Sequence, residues 1–402
     1  MKLSDLALFG GPPAFTSPLH VGRPNLPDRA RFLQAIGDIF DRAVLTNDGP
    51  EVRQLEQNFQ ALSGAPHAVA VANATLGLQL AAKALGLRGR VLVPAFSFVA
   101  TAHAFHWIGL EPVFCDVDPA THNLDPTEVR RRLDAGGIAA VVGVHLWGRL
   151  CAPAELEEIC RARNVPLLFD AAHALGCRQR ERAAGASGEA EVFSLHATKV
   201  CNAAEGGVIT TRDAALATRL RQLRNFGFVG YDRVADAGIN AKMSELSAAL
   251  GNLSLGHLAE YRAANLVRQE RYRRQFADVG GIKFAAVPAG DESNHHYAVL
   301  ELTAPWPDEA RDCLYHALHA EGALVRRYFH PGIHRHPPYA GLAAGRDAQL
   351  PHTEALCRRV LCLPNGPAVS LETVDRLAAL VRLILDELPA VAARLRERGI
   401  AG

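Results

Sequence analysis

The chain has 402 residues, 49% hydrophobic and 21% charged, and 43 Lys+Arg against 42 Asp+Glu leave a formal net charge of +1. Neither half is strongly basic, which argues against nucleic acid as a partner, and no apolar run reaches the roughly 18 residues of a membrane span. The length suits one large domain and one smaller one. The eight cysteines (Cys115, Cys151, Cys160, Cys177, Cys201, Cys313, Cys357, Cys362) form no C-x-x-C pair and no zinc-spaced cluster, so no metal site is expected. Met1-Lys2-Leu3-Ser4-Asp5 lacks the features of a signal peptide. Reduced thiols in a cytoplasmic protein are the expectation.

Residues 1 to about 30 are rich in Pro and Gly and read as irregular. Arg31 to Val44 has helical spacing, with Phe32, Ile36, Ile39, Phe40 and Val44 on one side. Thr46-Asn47-Asp48-Gly49-Pro50 turns the chain into a second helix over Val52–Leu62. From 67 to 210 short apolar runs alternate with helical stretches. The strands are expected at Ala68–Ala72, Val91–Pro94, Pro112–Cys115, Ala139–Leu146, Pro166–Asp170, Val192–Leu195 and Gly207–Thr210. Helices are expected at Thr75–Leu85, Val99–Ile108, Pro126–Asp134 and Ala154–Arg163. Near-continuous apolar strands separated by helices imply a mostly parallel sheet covered on both faces, with ligands at the carboxyl ends of its strands. Asp213 caps a following helix. A long helical pattern opens at Ser244 and runs toward Phe276. Beyond it come a strand over Tyr297–Leu302, a helix over Glu309–Glu321, a strand near Ala323–Tyr328 and a terminal helix from Leu371 to about Leu395. The expected division is a large domain over 1–255 and a smaller α+β domain over 256–402.

Lys199 lies between two of these strands among small and polar residues. A lysine held there loses hydration of its charged form, which is what an amine needs to condense with an aldehyde cofactor. Asp170 closes a strand on the ligand edge and could partner a protonated pyridine nitrogen, though it reads equally as a helix N-cap. Asn73-Ala74-Thr75-Leu76-Gly77 follows a strand and opens a helix, a seat for phosphate or simply a capped helix start. Ser194 could bond a phosphate oxygen. Phe96 and Phe98 follow Pro94, and periodicity does not choose which of them stacks on a flat ring and which packs in the core. His196 reads as structural.

In this order, Asn73-Ala74-Thr75, the aromatic after Pro94, Asp170 with His173, Ser194 with Lys199, Glu205-Gly206-Gly207 and Gly238-Ile239-Asn240-Ala241-Lys242-Met243-Ser244-Glu245 resemble the DegT/DnrJ/EryC1/StrS sugar aminotransferases. The resemblance runs from about 21 to 390. It implies pyridoxal 5'-phosphate as cofactor and the type I, aspartate-aminotransferase-like α/β fold. It implies Lys199 as the cofactor's tether, Asp170 at the pyridine nitrogen and Phe98 against the ring. It further implies His173 at the 3-oxygen, with Ala74, Thr75 and Ser194 on the phosphate. Asn240 would reach the cofactor phosphate of a neighbouring subunit, making the active unit a homodimer. Ala74 stands where many members have Gly, and Leu195 replaces a common aromatic; neither removes a group the chemistry requires.

Lys199 stands where dehydratases of the family carry histidine, so the resemblance implies transamination. Glutamate would be the amino donor and the acceptor a nucleotide-linked keto sugar, with C4 of a dTDP-4-keto-6-deoxyhexose favoured. Asn47 and Asp48, in a loop near the dimer interface, and Arg326, Arg327 and Tyr328 are the substrate-side candidates; Arg23 and Arg233 join Arg326 and Arg327 as candidates for the diphosphate. A different ketone (a 3-keto sugar nucleotide or an inosose) and a non-catalytic cofactor-binding regulator remain as alternatives. A nicotinamide enzyme lacks its G-x-G-x-x-G signature.

Overall fold

The structure, a computed structural model, describes residues 2–400; positions 1, 401 and 402, at the ends of the two expected domain spans, lie outside the described residues. Its centre is a seven-stranded sheet of β1 (His67–Val71), β2 (Arg90–Pro94), β3 (Glu111–Cys115), β4 (Ile138–Val144), β5 (Leu167–Asp170), β6 (Ala190–Ser194) and β7 (Gly207–Thr211), in the order β1-β7-β6-β5-β4-β2-β3. Only β7 runs antiparallel to its neighbours. Every residue of β5 is buried, as are the last five of β4. Strands covered on both faces need apolar side chains at every position, which is why these segments read as runs rather than alternations.

The cover comes from helices. Those that matter for the site are α1 (Arg29–Arg42), α2 (Pro50–Ser63), α3 (Ala74–Ala84) and α4 (Ala100–Trp107). Asn73 caps α3 through its side-chain oxygen, which accepts from Leu76 N. Asp213 caps the helix Ala214–Leu223 in the same way. The helical run expected to reach Phe276 is two helices, Glu245–Gly256 and Leu258–Gln275, broken at His257. The terminal run breaks at Glu387, just before Pro389, which has no N–H to continue the ladder. A smaller antiparallel sheet, β8 (Ile282–Phe284), β9 (Ala298–Leu302) and β10 (Val360–Leu363), carries the other core.

The expected boundary at 255/256 is crossed in both directions. Leu6, Leu8 and Leu19 pack with Leu314, Leu318 and Val391, so the N-terminal segment belongs to the smaller core and not to the large domain. Glu321 holds it there, accepting from the amides of Ala7 at 2.6 Å and Ala14 at 2.8 Å. Conversely, Ile333, Tyr339 and Leu350 pack with Phe105 and Phe114 of the large core. The strand expected near Ala323–Tyr328 keeps only Ala323–Leu324, paired in parallel with Leu19–His20.

The apolar side of α1 is covered only at Ile39, while Leu33 and Phe40 are exposed. Among the described residues no helix is long and apolar enough to cross a membrane. All eight cysteines are buried and free.

Candidate active site

The carboxyl ends of β2, β4, β5 and β6 open onto one cavity of about 1110 Å³. Small-molecule sites typically run from about 300 to 1,000 Å³, so this one has room for a cofactor and a second ligand. Of the expected site residues, Lys199, Asp170, His173 and Phe98 face it, as do Ala74, Thr75 and Ser194 around its phosphate-seat end, with Arg326 and Tyr328 on the opposite wall.

Lys199 follows β6 in a bend rather than a helix. The residue is partly shielded because it looks into the open cavity, but its amine lies at the floor. Burial lowers the amine's pKa from 10.5 to about 8, against an opposing pull from the Asp170 carboxylate. Its one side-chain contact is long, 3.4 Å to Tyr297 Oη. An amine with so few partners is free to react.

Asp170 is only 7% exposed. No α-helix follows it, so the N-cap alternative does not hold; Ala172 N donates to its Oδ1 at 3.1 Å within a turn. Its Oδ2 accepts from Thr101 Oγ1 at 2.8 Å. Among the described residues no basic side chain closes an ion pair with it. A buried carboxylate without a protein cation fits a protonated ring nitrogen placed in the cavity.

His173 is half-buried, and its Nδ1 is a buried atom with no hydrogen-bond partner among the described residues. Burial, with Lys199 and His296 nearby, pushes its pKa well below the usual imidazole value, so it is neutral. Its ring lies 4.2 Å from that of Tyr297 and 5.7 Å from that of Trp147. Trp147 adopts φ 59°, a left-handed conformation that costs a bulky residue of order 1–3 kcal/mol. Its Nε1 donates to His122 Nδ1 at 3.2 Å, and its ring stacks on Phe329 at 5.2 Å. This wall fixes the histidine from behind.

At the other end, the Asn73 cap satisfies Leu76 N and the Asn73 carbonyl accepts from Gly77 N. The amides of Ala74 and Thr75, in the first helical turn, are left without intrahelical partners. The turn is backed closely by β7: a Cβ on Gly207 would lie 2.7 Å from Ala74 N. These amides, the Thr75 and Ser194 hydroxyls and the helix dipole suit an anion. Seat, carboxylate, amine and orphaned imidazole together fit pyridoxal phosphate.

The two phenylalanines separate cleanly. Phe98 is 54% exposed and lines the cavity, whereas Phe96 is fully buried against Trp147 and Phe329. Phe98→Ala should therefore weaken cofactor retention with little change in melting temperature. Phe96→Ala should destabilise the fold by about 3–5 kcal/mol, as emptying a core site does. Chemical denaturation and cofactor titration of the two variants check this pair.

Six expected residues are not brought into this cavity. Arg327 turns away, donating to Asp312 at 2.6 Å and stacking on Tyr315. Asn47 and Asp48 sit in an exposed turn, where Asp48 accepts from Arg224 at 2.8 Å. Asn240 is exposed and lies outside the cavity. Of the diphosphate candidates only Arg326 lines the site, 5.3 Å from the Tyr328 ring; Arg23 and Arg233 are exposed elsewhere. His196 lines the cavity as well, bonding Thr198 Oγ1 at 2.8 Å and facing Glu205. Sequence reasoning passed over Thr101 and Tyr297. The first stood inside the expected helix Val99–Ile108, and the second opened an expected strand.

The family model described as the DegT/DnrJ/EryC1/StrS aminotransferase family matches residues 27–382. A dTDP-4-amino-4,6-dideoxy-D-glucose transaminase of Shigella dysenteriae is 32% identical over 91% of this chain and 99% of its own. A UDP-N-acetyl-3-dehydro-alpha-D-glucosamine 3-aminotransferase of Acidithiobacillus ferrooxidans is 31% identical, covering 89% and 95%. The crystal structure of DesI in the presence of its TDP-sugar product superposes with a TM-score of 0.92 and 47% identity, covering 98% of this chain and all of that one.

Proposed function

The chain belongs to the DegT/DnrJ/EryC1/StrS aminotransferase family, and on that premise we propose that it moves an amino group from glutamate to C4 of a dTDP-linked 4-keto-6-deoxyhexose, with pyridoxal phosphate as cofactor. The observation that carries this reading is the convergence of Lys199, Asp170, His173 and the phosphate turn on one cavity. Bound there, pyridoxal phosphate supplies an electron-withdrawing ring for a carbanion at the donor or acceptor carbon. Lys199 would hold it, and the lysine Nζ would take and return a proton. A pKa of about 8 suits both duties near neutral pH. Asp170 offers negative charge to the ring nitrogen, Phe98 supports the ring face, and His173 offers its nitrogen to the 3-oxygen. Ala74, Thr75 and Ser194 hold the phosphate.

Arg326 and Tyr328, across the cavity, are assigned to the sugar nucleotide, where a guanidinium suits a diphosphate. The nucleotide and ring carbon rest on the relatives: DesI is described with a TDP-sugar product, and the Shigella protein is named for a 4-amino sugar.

A homodimer with shared sites is part of the proposal. Leu33 and Phe40 on α1, and Phe226 with Phe228 6.5 Å away and the 98% exposed Tyr231, leave large apolar side chains uncovered, as an interface would. Asn240 lies beyond its own cavity, as a residue serving a partner's phosphate would. Free, buried thiols fit a reducing cytoplasmic setting.

The test is incubation of the loaded protein with L-glutamate and a panel of keto sugars, with products identified by mass and NMR. A 4-amino-4,6-dideoxy sugar on dTDP is the expected product. Amination only of a UDP-linked 3-keto sugar would move the assignment to the 3-aminotransferase reading. No conversion of the cofactor by glutamate would favour a non-catalytic binder.

A further inference from the structure

Thr101 lies behind the carboxylate and Ser97 beside it at the cavity wall, both buried. Thr101 Oγ1 is 2.8 Å from Asp170 Oδ2 and 3.0 Å from Ser97 Oγ. A carboxylate can only accept, so the single hydroxyl proton of Thr101 is committed to Asp170. The Ser97 hydroxyl must then donate to Thr101. The direction of the chain is thereby settled: Ser97 to Thr101 to Asp170.

Each carboxylate oxygen of Asp170 now holds one protein donor, Ala172 N on Oδ1 and Thr101 on Oδ2. Two donors on different oxygens determine the plane of the group and leave lone pairs for the cavity. Thr101 N also donates to the Phe98 carbonyl at 3.1 Å. The turn that opens α4 therefore presents both the cavity-lining aromatic and the hydroxyl that orients the carboxylate.

We propose that Thr101, backed by Ser97, is a positioning residue for the reaction: it sets the orientation in which Asp170 offers its charge to the cofactor's ring nitrogen. This rests on the proposed function, since without a pyridine ring the orientation has no use. It predicts a graded series. Thr101→Val keeps the shape and removes the donor, Thr101→Ser keeps the donor, and Ser97→Ala breaks the outer link while leaving the Thr101 bond to Asp170 in place.

The experiment loads the full-length protein with pyridoxal phosphate labelled with 15N in the ring and reads ring protonation by NMR. The glutamate-driven loss of visible absorbance is timed in parallel, and melting of the unloaded variants reports folding. In Thr101→Val the 15N signal should move toward the unprotonated position. The glutamate step should slow about 10- to 100-fold, the size usual for partners that orient a reactive ligand. Thr101→Ser should restore both, and Ser97→Ala should move the signal the same way by less. A wild-type 15N position and rate in Thr101→Val overturns the inference. So does an unmoved signal in Ser97→Ala if the valine variant fails to fold. Failure of the wild-type protein to take up the cofactor at all would sink the proposed function first, and this inference with it.

Discussion

Lys199→Ala should cut turnover by roughly four orders of magnitude or more while leaving the unloaded protein more stable than wild type. Proton transfer by a placed base contributes about 10²–10⁴-fold, and covalent attachment is lost as well. Among the described residues the side chain makes one long hydrogen bond, 3.4 Å to Tyr297, so little hydrogen bonding goes with it. The stability gain follows from the pKa. In the folded chain the amine titrates near 8, below its ordinary 10.5, because burial disfavours its charge. Between those values the unfolded state binds the proton and the folded state does not. Wild-type stability therefore falls as pH drops from about 10.5 to 8, and below 8 the penalty is fully present. Denaturation of unloaded wild type and Lys199→Ala should show the widest gap near neutral pH, narrowing above 8. Cofactor capture by the wild type should accelerate over the same rise, as the neutral amine becomes the main form. A variant that keeps its activity, or a gap that widens with pH, would contradict the placement of this amine.

Much of this site was legible in the sequence because its signals are local. Lys199 stands in a strand–loop–strand segment, and Asp170 ends an apolar run, so the rule placing ligands at strand carboxyl ends finds both. What was not legible depends on where the chain goes next. Phe96 and Phe98 share a period-two side only if the strand continues, and β2 stops at Pro94. Thr101 meets Asp170 across 69 positions and Tyr297 meets Lys199 across 98, distances no periodicity encodes. Arg326 and Arg327 are adjacent and chemically alike, and only Asp312 decides that the second faces away. Residues 2–20 form two short 3-10 turns and a two-residue strand, too brief to show a period. Their burial against Leu314 and Val391 was therefore invisible until the fold was known.

Asp170→Asn is expected to separate cofactor binding from cofactor use. Asparagine keeps the shape, and its oxygen can still accept one of the bonds now made by Thr101 and Ala172. What it loses is charge, at a buried position where no basic side chain among the described residues closes an ion pair with it. In the unloaded protein that loss falls on Lys199, whose protonated amine the carboxylate favours against burial. With the ring bound the loss is larger. The carboxylate then forms half of a buried ion pair, and breaking such a pair costs about 3–5 kcal/mol, or about 10²–10⁴ in rate if the pair is needed most in the transition state. The phosphate turn and Phe98 are untouched and the Lys199 side chain is still present, so the visible band of the loaded protein should persist while kcat falls by that factor. The contrast with Lys199→Ala is the informative part, since there the band goes as well. If Asp170→Asn turned over within tenfold of wild type, the ring nitrogen would not need this anion, and the carboxylate would owe its burial to the turn at Ala172 alone.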